Sequence, residues 1–256
     1  MSMLTKIVET KKIEVKNLTL PSQKQVQRYS FYDALANPKR HLGVIAEMKK
    51  ASPSKGILKE SFAPIDIGAE YEQVGVDAIS VLTDQTYFKG SKHDLMMVKE
   101  TTSLPVLRKD FIIDSIQVEE SARIGADAIL LIAEILPDKK LATLYKQATD
   151  LGLDVLVEVH SLDRLTQLLQ TITPKIIGVN NRNLATFETD IQTTKELSAY
   201  IPSTSLLVSE SGILSQDDLR QVQGFGANAV LVGEAFMKDH TPGTGVKRLF
   251  GELEHV

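Results

Sequence analysis

The sequence predicts an α/β protein, a (β/α)8 barrel with an N-terminal helical extension. One phrase occurs three times, as Gly75-Val-Asp-Ala-Ile-Ser-Val, Gly125-Ala-Asp-Ala-Ile-Leu-Leu and Gly226-Ala-Asn-Ala-Val-Leu-Val. Its glycine suits the left-handed residue that follows a helix, and its apolar run is typical of a parallel strand buried on both faces. Helical patterns separate such runs along the chain, and strict strand–helix alternation repeated eight times favours a barrel over a doubly wound open sheet.

The remaining strands are predicted from apolar runs that begin near Val44, Val106, Val155, Ile176 and Leu206. The spacing is about 26 residues per unit, which is the length that a strand, a helix and two short loops require. Residues 1–40 precede the first strand and carry Leu4, Ile7 and Val8 on one face of a Lys-rich helix. We expect this extension to cover the barrel rather than to bind a partner. One domain, residues 1–256, with the barrel at 41–256, accounts for the chain.

Start signals mark several of the intervening helices. Pro64 and Pro137 suit the first turn of a helix, where the missing N–H has no intrahelical partner. Ser161 and Ser215 suit the N-cap, where the hydroxyl accepts a backbone N–H.

Composition excludes several classes of function. The 33 acidic and 29 basic residues give a net charge of −4, and no run of Lys or Arg exceeds two, which argues against nucleic-acid binding. The chain has no cysteine, so disulfides, thiolate metal sites and a cysteine nucleophile are excluded. The five histidines show no metal-ligand spacing, so no metal site is expected, and His160 is interpreted as a hydrogen-bonded loop residue. A charged N-terminus and short apolar runs predict a cytoplasmic protein that binds no membrane.

Polar residues follow the apolar runs at the strand ends, where barrels of this type carry their chemistry. They are Glu47, Lys49, Thr83, Asp84, Arg108, Lys109, Asp110, Glu134, Glu158, His160, Asn180, Arg182, Glu210, Ser211 and Glu234. Cations and carboxylates at one mouth indicate an anionic substrate and proton transfer. Glu158 stands out because a carboxylate inside the run Val-Leu-Val-Glu-Val is costly unless it is paired or used.

Glycines after the last two strands predict a phosphate site. Ser209-Glu-Ser-Gly-Ile and Val232-Gly-Glu-Ala place them where backbone amides can approach a ligand. We expect the Glu234 side chain to point away, since it would repel a phosphate. Gly224-Phe-Gly-Ala-Asn-Ala matches a dinucleotide fingerprint but precedes a strand, which is the wrong context.

Taken together, five motifs resemble the indole-3-glycerol phosphate synthase family over Phe31 to Phe250. They are Glu47-Met-Lys-Lys-Ala-Ser-Pro-Ser-Lys-Gly, Leu82-Thr-Asp-Gln-Thr-Tyr-Phe-Lys-Gly, Leu107-Arg-Lys-Asp-Phe-Ile-Ile-Asp, Gly178-Val-Asn-Asn-Arg-Asn-Leu and Ser209-Glu-Ser-Gly-Ile. Ile116 departs from the family, where a tyrosine is expected, and we expect this to affect packing more than catalysis.

The resemblance implies ring closure, decarboxylation and dehydration of 1-(2-carboxyphenylamino)-1-deoxyribulose 5-phosphate, without a cofactor or an obligate protein partner. It implies that the catalytic residues are Lys109, Glu158 and Glu47, with the division of acid and base roles left open. The substrate-binding residues would be Lys49, Ser52, Phe88, Phe111, Asn180, Arg182 and Glu210, and the phosphate-binding residues Ser211, Gly212, Gly233 and Glu234. The loop from Lys50 to Glu60 is predicted to be a mobile cover, and the protein to be a monomer.

Two alternatives stay open from the residues alone. Phosphoribosylanthranilate isomerase resembles this fold, but it relies on a cysteine base that this chain lacks. A catalytically silent barrel would be expected to lose the charged residues at the strand ends, which are present here.

Overall fold

Eight parallel strands close into a barrel in the computed structural model, which describes residues 3–53, 56–59, 61–183 and 186–253. The strands are β1 (Gly43–Met48), β2 (Ala78–Leu82), β3 (Val106–Lys109), β4 (Ala128–Ile132), β5 (Asp154–Val159), β6 (Ile176–Asn180), β7 (Leu206–Glu210) and β8 (Ala229–Val232). Each strand pairs with the next in chain order, and β1 closes the ring against β8, with Ala46 opposite Val232. The predicted barrel is therefore confirmed, and the open doubly wound sheet is wrong because the sheet has no free edge.

In the described part of the chain, two helices precede β1, and the others follow the strands on the outside of the barrel. They are α1 (Met3–Lys16), α2 (Phe31–Ala36), α3 (Pro64–Gln73), α4 (Gln85–Phe88), α5 (Lys92–Thr101), α6 (Ser115–Arg123), α7 (Asp138–Asp150), α8 (Leu162–Thr171), α9 (Gln192–Ser198), α10 (Gln216–Gly224), α11 (Glu234–Met237) and α12 (Pro242–Phe250). None of the helices among the described residues is long and apolar enough to cross a membrane.

The helix start signals are where the sequence predicts them, with one small shift. Ser161 and Ser215 cap α8 and α10, and Pro64 is the first residue of α3. Pro137 is the N-cap of α7 rather than its first helical residue.

The repeated phrase has a structural role at the opposite end of the barrel from the chemistry. Gly75, Gly125 and Gly226 all have positive φ, between 73° and 95°, as a helix-ending glycine requires. The polar residue two positions later accepts the backbone N–H of the preceding strand: Asp77 from Val44, Asp127 from Val106 and Asn228 from Leu207. Because each strand begins with an N–H that would otherwise be buried without a partner, the repeat joins neighbouring strands at their starts.

The N-terminal extension covers both ends of the barrel. Helix α2 buries Phe31 and Leu35 against the side chains that fill the barrel interior, and the backbone N–H of Tyr32 donates to Asp154 at the start of β5. Helix α1 lies over the opposite end, where Thr10 is hydrogen-bonded to Tyr87 at 2.8 Å. The extension thus seals the bottom of the barrel and narrows its mouth.

The loop after β1 contains a short antiparallel ribbon in which Ala51–Ser52 pairs with Gly56–Ile57. Ser54, Lys55 and Glu60 of the segment predicted to be a mobile cover lie outside the described residues.

Candidate active site

A cavity of about 270 Å³ opens at the carboxyl ends of the barrel strands. The structure brings every residue that the sequence singled out for catalysis or binding to the wall of this cavity. They are Glu47, Lys49, Ser52, Phe88, Lys109, Phe111, Glu158, Asn180, Arg182, Glu210, Ser211, Gly212, Gly233 and Glu234. Residues more than 180 positions apart in the chain meet there because all parallel strands of a closed barrel end on the same face.

Lys109 lies at the centre of the charged wall. Its Nζ is 3.1 Å from Glu158 Oε2 and also forms an ion pair with Glu210 Oε2. Lys109 ends β3 and the two glutamates come from β5 and β7, so the ammonium bridges three strands across the mouth. All three side chains are largely shielded from solvent, which strengthens these electrostatic interactions.

The cluster separates the protonation states of its members. Burial disfavours the ammonium, but Glu210, Glu158 and Glu47 outweigh it and hold the pKa of Lys109 well above its usual range. Burial likewise disfavours ionised Glu158, yet Lys109 and His160 hold its pKa well below the usual range. For Glu210, burial and the charge of Glu158 prevail over Lys109 and raise the pKa to about 7. Near neutral pH the site therefore holds a positively charged Lys109, a negatively charged Glu158 and a Glu210 carboxyl group that exchanges its proton.

Glu47 and Lys49 form a second pair on β1 and the residues after it. They are two residues apart on an extended segment, so they share a face, and the Lys49 ammonium pairs with Glu47 Oε1. A Cβ on Gly233 would fall 2.5 Å from that same Glu47 oxygen. A side chain at position 233 would therefore displace the Glu47 carboxylate, so the glycine leaves room for that carboxylate in addition to any approach of its amide to a ligand.

Another part of the cavity wall is apolar. Phe88 and Phe111 lie with ring centroids 5.9 Å apart, and both are half-buried at the cavity rather than enclosed in the core. Met3, Leu4 and Ile7 of α1 complete this wall. The sequence pattern identified the apolar face of α1 but did not indicate that the face lines the site.

A buried ion cluster holds α1 in place behind this wall. Lys11 Nζ is 2.8 Å from Asp84 and 2.9 Å from Asp110, and its side chain is only 2% exposed. Asp84 caps α4, which carries Phe88, and Asp110 lies between Lys109 and Phe111. The extension is therefore anchored directly to residues that flank the cavity.

The loops after β6 and β7 are joined by a residue that the sequence did not single out. Asn181 donates from Nδ2 to Ser209 Oγ and to the Ser211 carbonyl, each at 3.0 Å, and accepts from Thr194. Ser211 and Gly212 both have positive φ, 68° and 78°. The hydrogen bonds of Asn181 stabilise this unusual backbone turn, which is costly for a serine. The role of a buried asparagine in a short polar loop could not be predicted from the sequence, because it depends on hydrogen-bond partners that only the fold brings together.

Two cations balance the charge of Glu234. Its carboxylate is 2.6 Å from Lys238 and 3.8 Å from Arg182, and the predicted orientation away from a phosphate stays a prediction. The neighbouring Asn180 accepts the backbone N–H of Arg182 at 3.0 Å.

Arg108 is a charged strand-end residue that is not among the residues lining the cavity. Arg108 is buried on the outer face of β3, where it contacts Asp110, Glu120 and Thr83. Ile116 is the second residue of α6 and is not among the residues that line the cavity, and its effect on packing stays a prediction.

Comparison with known proteins agrees with this site. The sequence model for indole-3-glycerol phosphate synthase matches residues 3–249. The chain is 58% identical over 254 residues to an indole-3-glycerol phosphate synthase of Priestia megaterium, covering 99% of this chain and 100% of that protein. It is 52% identical to the one of Halalkalibacterium halodurans, covering 97% of each. A solved 3-hexulose-6-phosphate synthase from Salmonella typhimurium matches 82% of this chain and 98% of its own, with a TM-score of 0.66 at 14% identity, and so shares the fold alone.

The matches to sequence relatives span nearly the whole chain, extension included, and the motifs that suggested the resemblance meet at one cavity. The chain belongs to the indole-3-glycerol phosphate synthase family.

Proposed function

We propose that this protein closes the indole ring of 1-(2-carboxyphenylamino)-1-deoxyribulose 5-phosphate, giving indole-3-glycerol phosphate, carbon dioxide and water. Family membership supports the reaction. The observation that carries the assignment of the site is the ammonium of Lys109 held between Glu158 and Glu210 in a cavity with an aromatic wall.

The cavity offers a separate surface for each part of such a substrate. Phe88 and Phe111 provide a face for the phenyl ring, and Lys49, Ser52 and Arg182 provide donors for its carboxylate. At the other side, Ser211, Gly212, Gly233 and the amide of Glu234 form the proposed phosphate cradle, and Asn180 and Glu210 are left to orient the substrate between these ends. The substrate would thus lie across the mouth with its ketone above Lys109.

The chemistry proceeds in three steps. The ring carbon that carries the carboxylate attacks the ketone, and Lys109 protonates the developing alkoxide. Carbon dioxide then leaves and the electron pair restores the aromatic ring. In the last step the hydroxyl group leaves as water after it takes up one proton, supplied in the end by solvent, and we assign to Glu158 the removal of one proton from the substrate. Glu47 and Glu210 support the charge of Lys109. Positioned acid–base groups contribute about 10²- to 10⁴-fold each, so holding a cyclisation-ready conformer must supply much of the remainder.

Substitution of Lys109 and Glu158 tests these roles. Lys109→Ala and Glu158→Gln should each lower kcat by at least about 100-fold while the far-ultraviolet circular dichroism is unchanged. The control is Lys146→Ala, since Lys146 is exposed on α7. Product is followed by indole fluorescence. Absence of turnover by the folded wild-type protein would refute the function, whereas near-normal turnover by one variant would refute only the role of that residue.

A monomeric state, action without a protein partner and a cytoplasmic location remain predictions. Sedimentation velocity of the purified protein tests the first of them.

A further inference from the structure

His160 contacts the oxygen of Glu158 that does not face Lys109. Glu158 Oε2 lies 3.1 Å from the Lys109 ammonium, and Glu158 Oε1 lies 2.8 Å from His160 Nε2. The side chain of His160 is 9% exposed and does not line the cavity. The proposed base is therefore held between a group that faces the substrate and a group that lies behind it.

The second ring nitrogen of His160 determines how many protons the ring carries. Nδ1 lies 3.1 Å from the backbone carbonyl oxygen of Arg182, which can only accept a hydrogen bond. Nδ1 must therefore be protonated to make this contact. With Nδ1 protonated, a neutral ring would present a lone pair at Nε2, and that lone pair would face a carboxylate oxygen. The geometry is satisfied by an imidazolium beside ionised Glu158, or by a neutral ring beside protonated Glu158.

The charges around the ring favour the imidazolium. Glu134, in the turn after β4, accepts the backbone N–H of His160 at 2.7 Å, so carboxylates lie on two sides. Burial lowers the pKa of His160, but the hydrogen bond and charge of Glu158, and the charge of Glu134, outweigh it and raise the pKa to about 9. The Lys109 ammonium contacts the other oxygen of Glu158, so the carboxylate lies between the two cations.

Other charged groups nearby are occupied by their own partners. Arg182 approaches the ring through its backbone carbonyl, and its guanidinium is 3.8 Å from Glu234. Arg164 of α8 donates to the carbonyls of Ala133 and Leu136 and to Asp138.

We propose that His160 is a positioning residue for the base, which as an imidazolium keeps Glu158 ionised and turns its Oε2 toward Lys109 and the substrate. The inference rests on the proposed function, because it assigns a partner to the group that removes the proton. His160 keeps both of its ring protons throughout, and the proton taken from the substrate goes to Glu158 Oε2. The contact also has a cost, since it makes Glu158 a weaker base while fixing its orientation.

Three variants separate positioning from packing. His160→Ala removes both contacts and should lower kcat about 10- to 100-fold, the range for loss of a charged hydrogen bond, with KM changed less than about threefold because His160 does not line the cavity. His160→Gln can still donate to Glu158 without a charge, so it should recover most of kcat. The carboxyl ¹³C titration profile of Glu158 in this variant should move upward by about one pH unit, because Glu158 loses the neighbouring positive charge. His93→Gln, on the exposed start of α5, is the control and should keep the wild-type profile.

A measurement that does not need turnover accompanies the kinetics. Long-range ¹H–¹⁵N spectra of the wild-type protein should show His160 as a doubly protonated ring at pH 7.5. In Glu158→Gln, the pKa of His160 should return toward the ordinary range of histidine. A neutral ring beside ionised Glu158 at that pH overturns the proposal. So does a Glu158 titration profile of His160→Gln that coincides with the wild type, or a kcat of His160→Ala within twofold of the wild-type value. If His160→Ala fails to fold, the His160→Gln profile and the spectra decide. Inactive wild-type protein would instead refute the proposed function, on which this inference depends.

Discussion

Replacement of Lys11 by methionine is expected to destabilise the protein by about 3 kcal/mol. The methionine keeps the apolar stem but removes the ammonium that lies 2.8 Å from Asp84 and 2.9 Å from Asp110. Removing one member of a buried ion pair costs about 3–5 kcal/mol, because the remaining charge is left in a poor solvent. The lower end of that range applies here, because Asp84 still accepts the backbone N–H of Tyr87, and Asp110 still accepts hydrogen bonds from Arg108 and Thr83.

Urea unfolding measures this difference, with Lys12→Met as the matched control on the same helix. Lys12 is 55% exposed and forms a surface ion pair with Glu9, so its loss should cost less than about 1 kcal/mol. The Lys11 variant should also raise KM, because α1 carries Met3, Leu4 and Ile7 into the cavity wall. Equal free energies of unfolding for the two variants would show that the buried cluster does not anchor the helix.

Two further predictions concern the charged wall. Gly178→Ala would place a Cβ on Glu210 Oε1, so it should cost about 1–3 kcal/mol of stability and lower kcat by displacing the partner of Lys109. Gly224→Ala is the control, because the space around Gly224 is open and the change should be neutral or slightly stabilising. Thermal unfolding and turnover of both variants test this prediction, and an unchanged stability and turnover of Gly178→Ala would contradict it. The pKa of Glu210, raised from 4.5 to about 7, means that the folded state binds its proton more tightly than the unfolded state, so this contribution is complete below about pH 4.5 and is lost as the pH rises through 7. The stability of wild type relative to Glu210→Gln should fall by about 2–3 kcal/mol over that range in urea titrations, and parallel pH profiles would disprove the raised pKa.

Much of the fold could be predicted because its signals are local. The glycines after helices, the serine N-caps and the continuous apolar runs each depend on neighbours within a few residues, and their regular spacing is sufficient to count eight strands. The polar residue in the repeated phrase was different. The sequence pattern assigned no role to Asp77 and Asp127, whereas each accepts a backbone N–H near the start of a neighbouring strand, a contact made across more than 20 positions of the chain.

The sequence by itself determined the barrel and the chemical types that meet at its mouth, because strand alternation and strand ends follow from local pattern. Only the tertiary structure decided which of these side chains form ion pairs and hydrogen bonds with one another. It brought His160 into contact with Glu158 and Glu210 into contact with the Lys109 ammonium. It also turned the Arg108 side chain outward, although Arg108 adjoins Lys109 in the chain. It also brought α1 over the cavity through Lys11. The physical reason is that charge interactions depend on distance and burial in space, which closure of the barrel sets and which separation along the chain does not reveal.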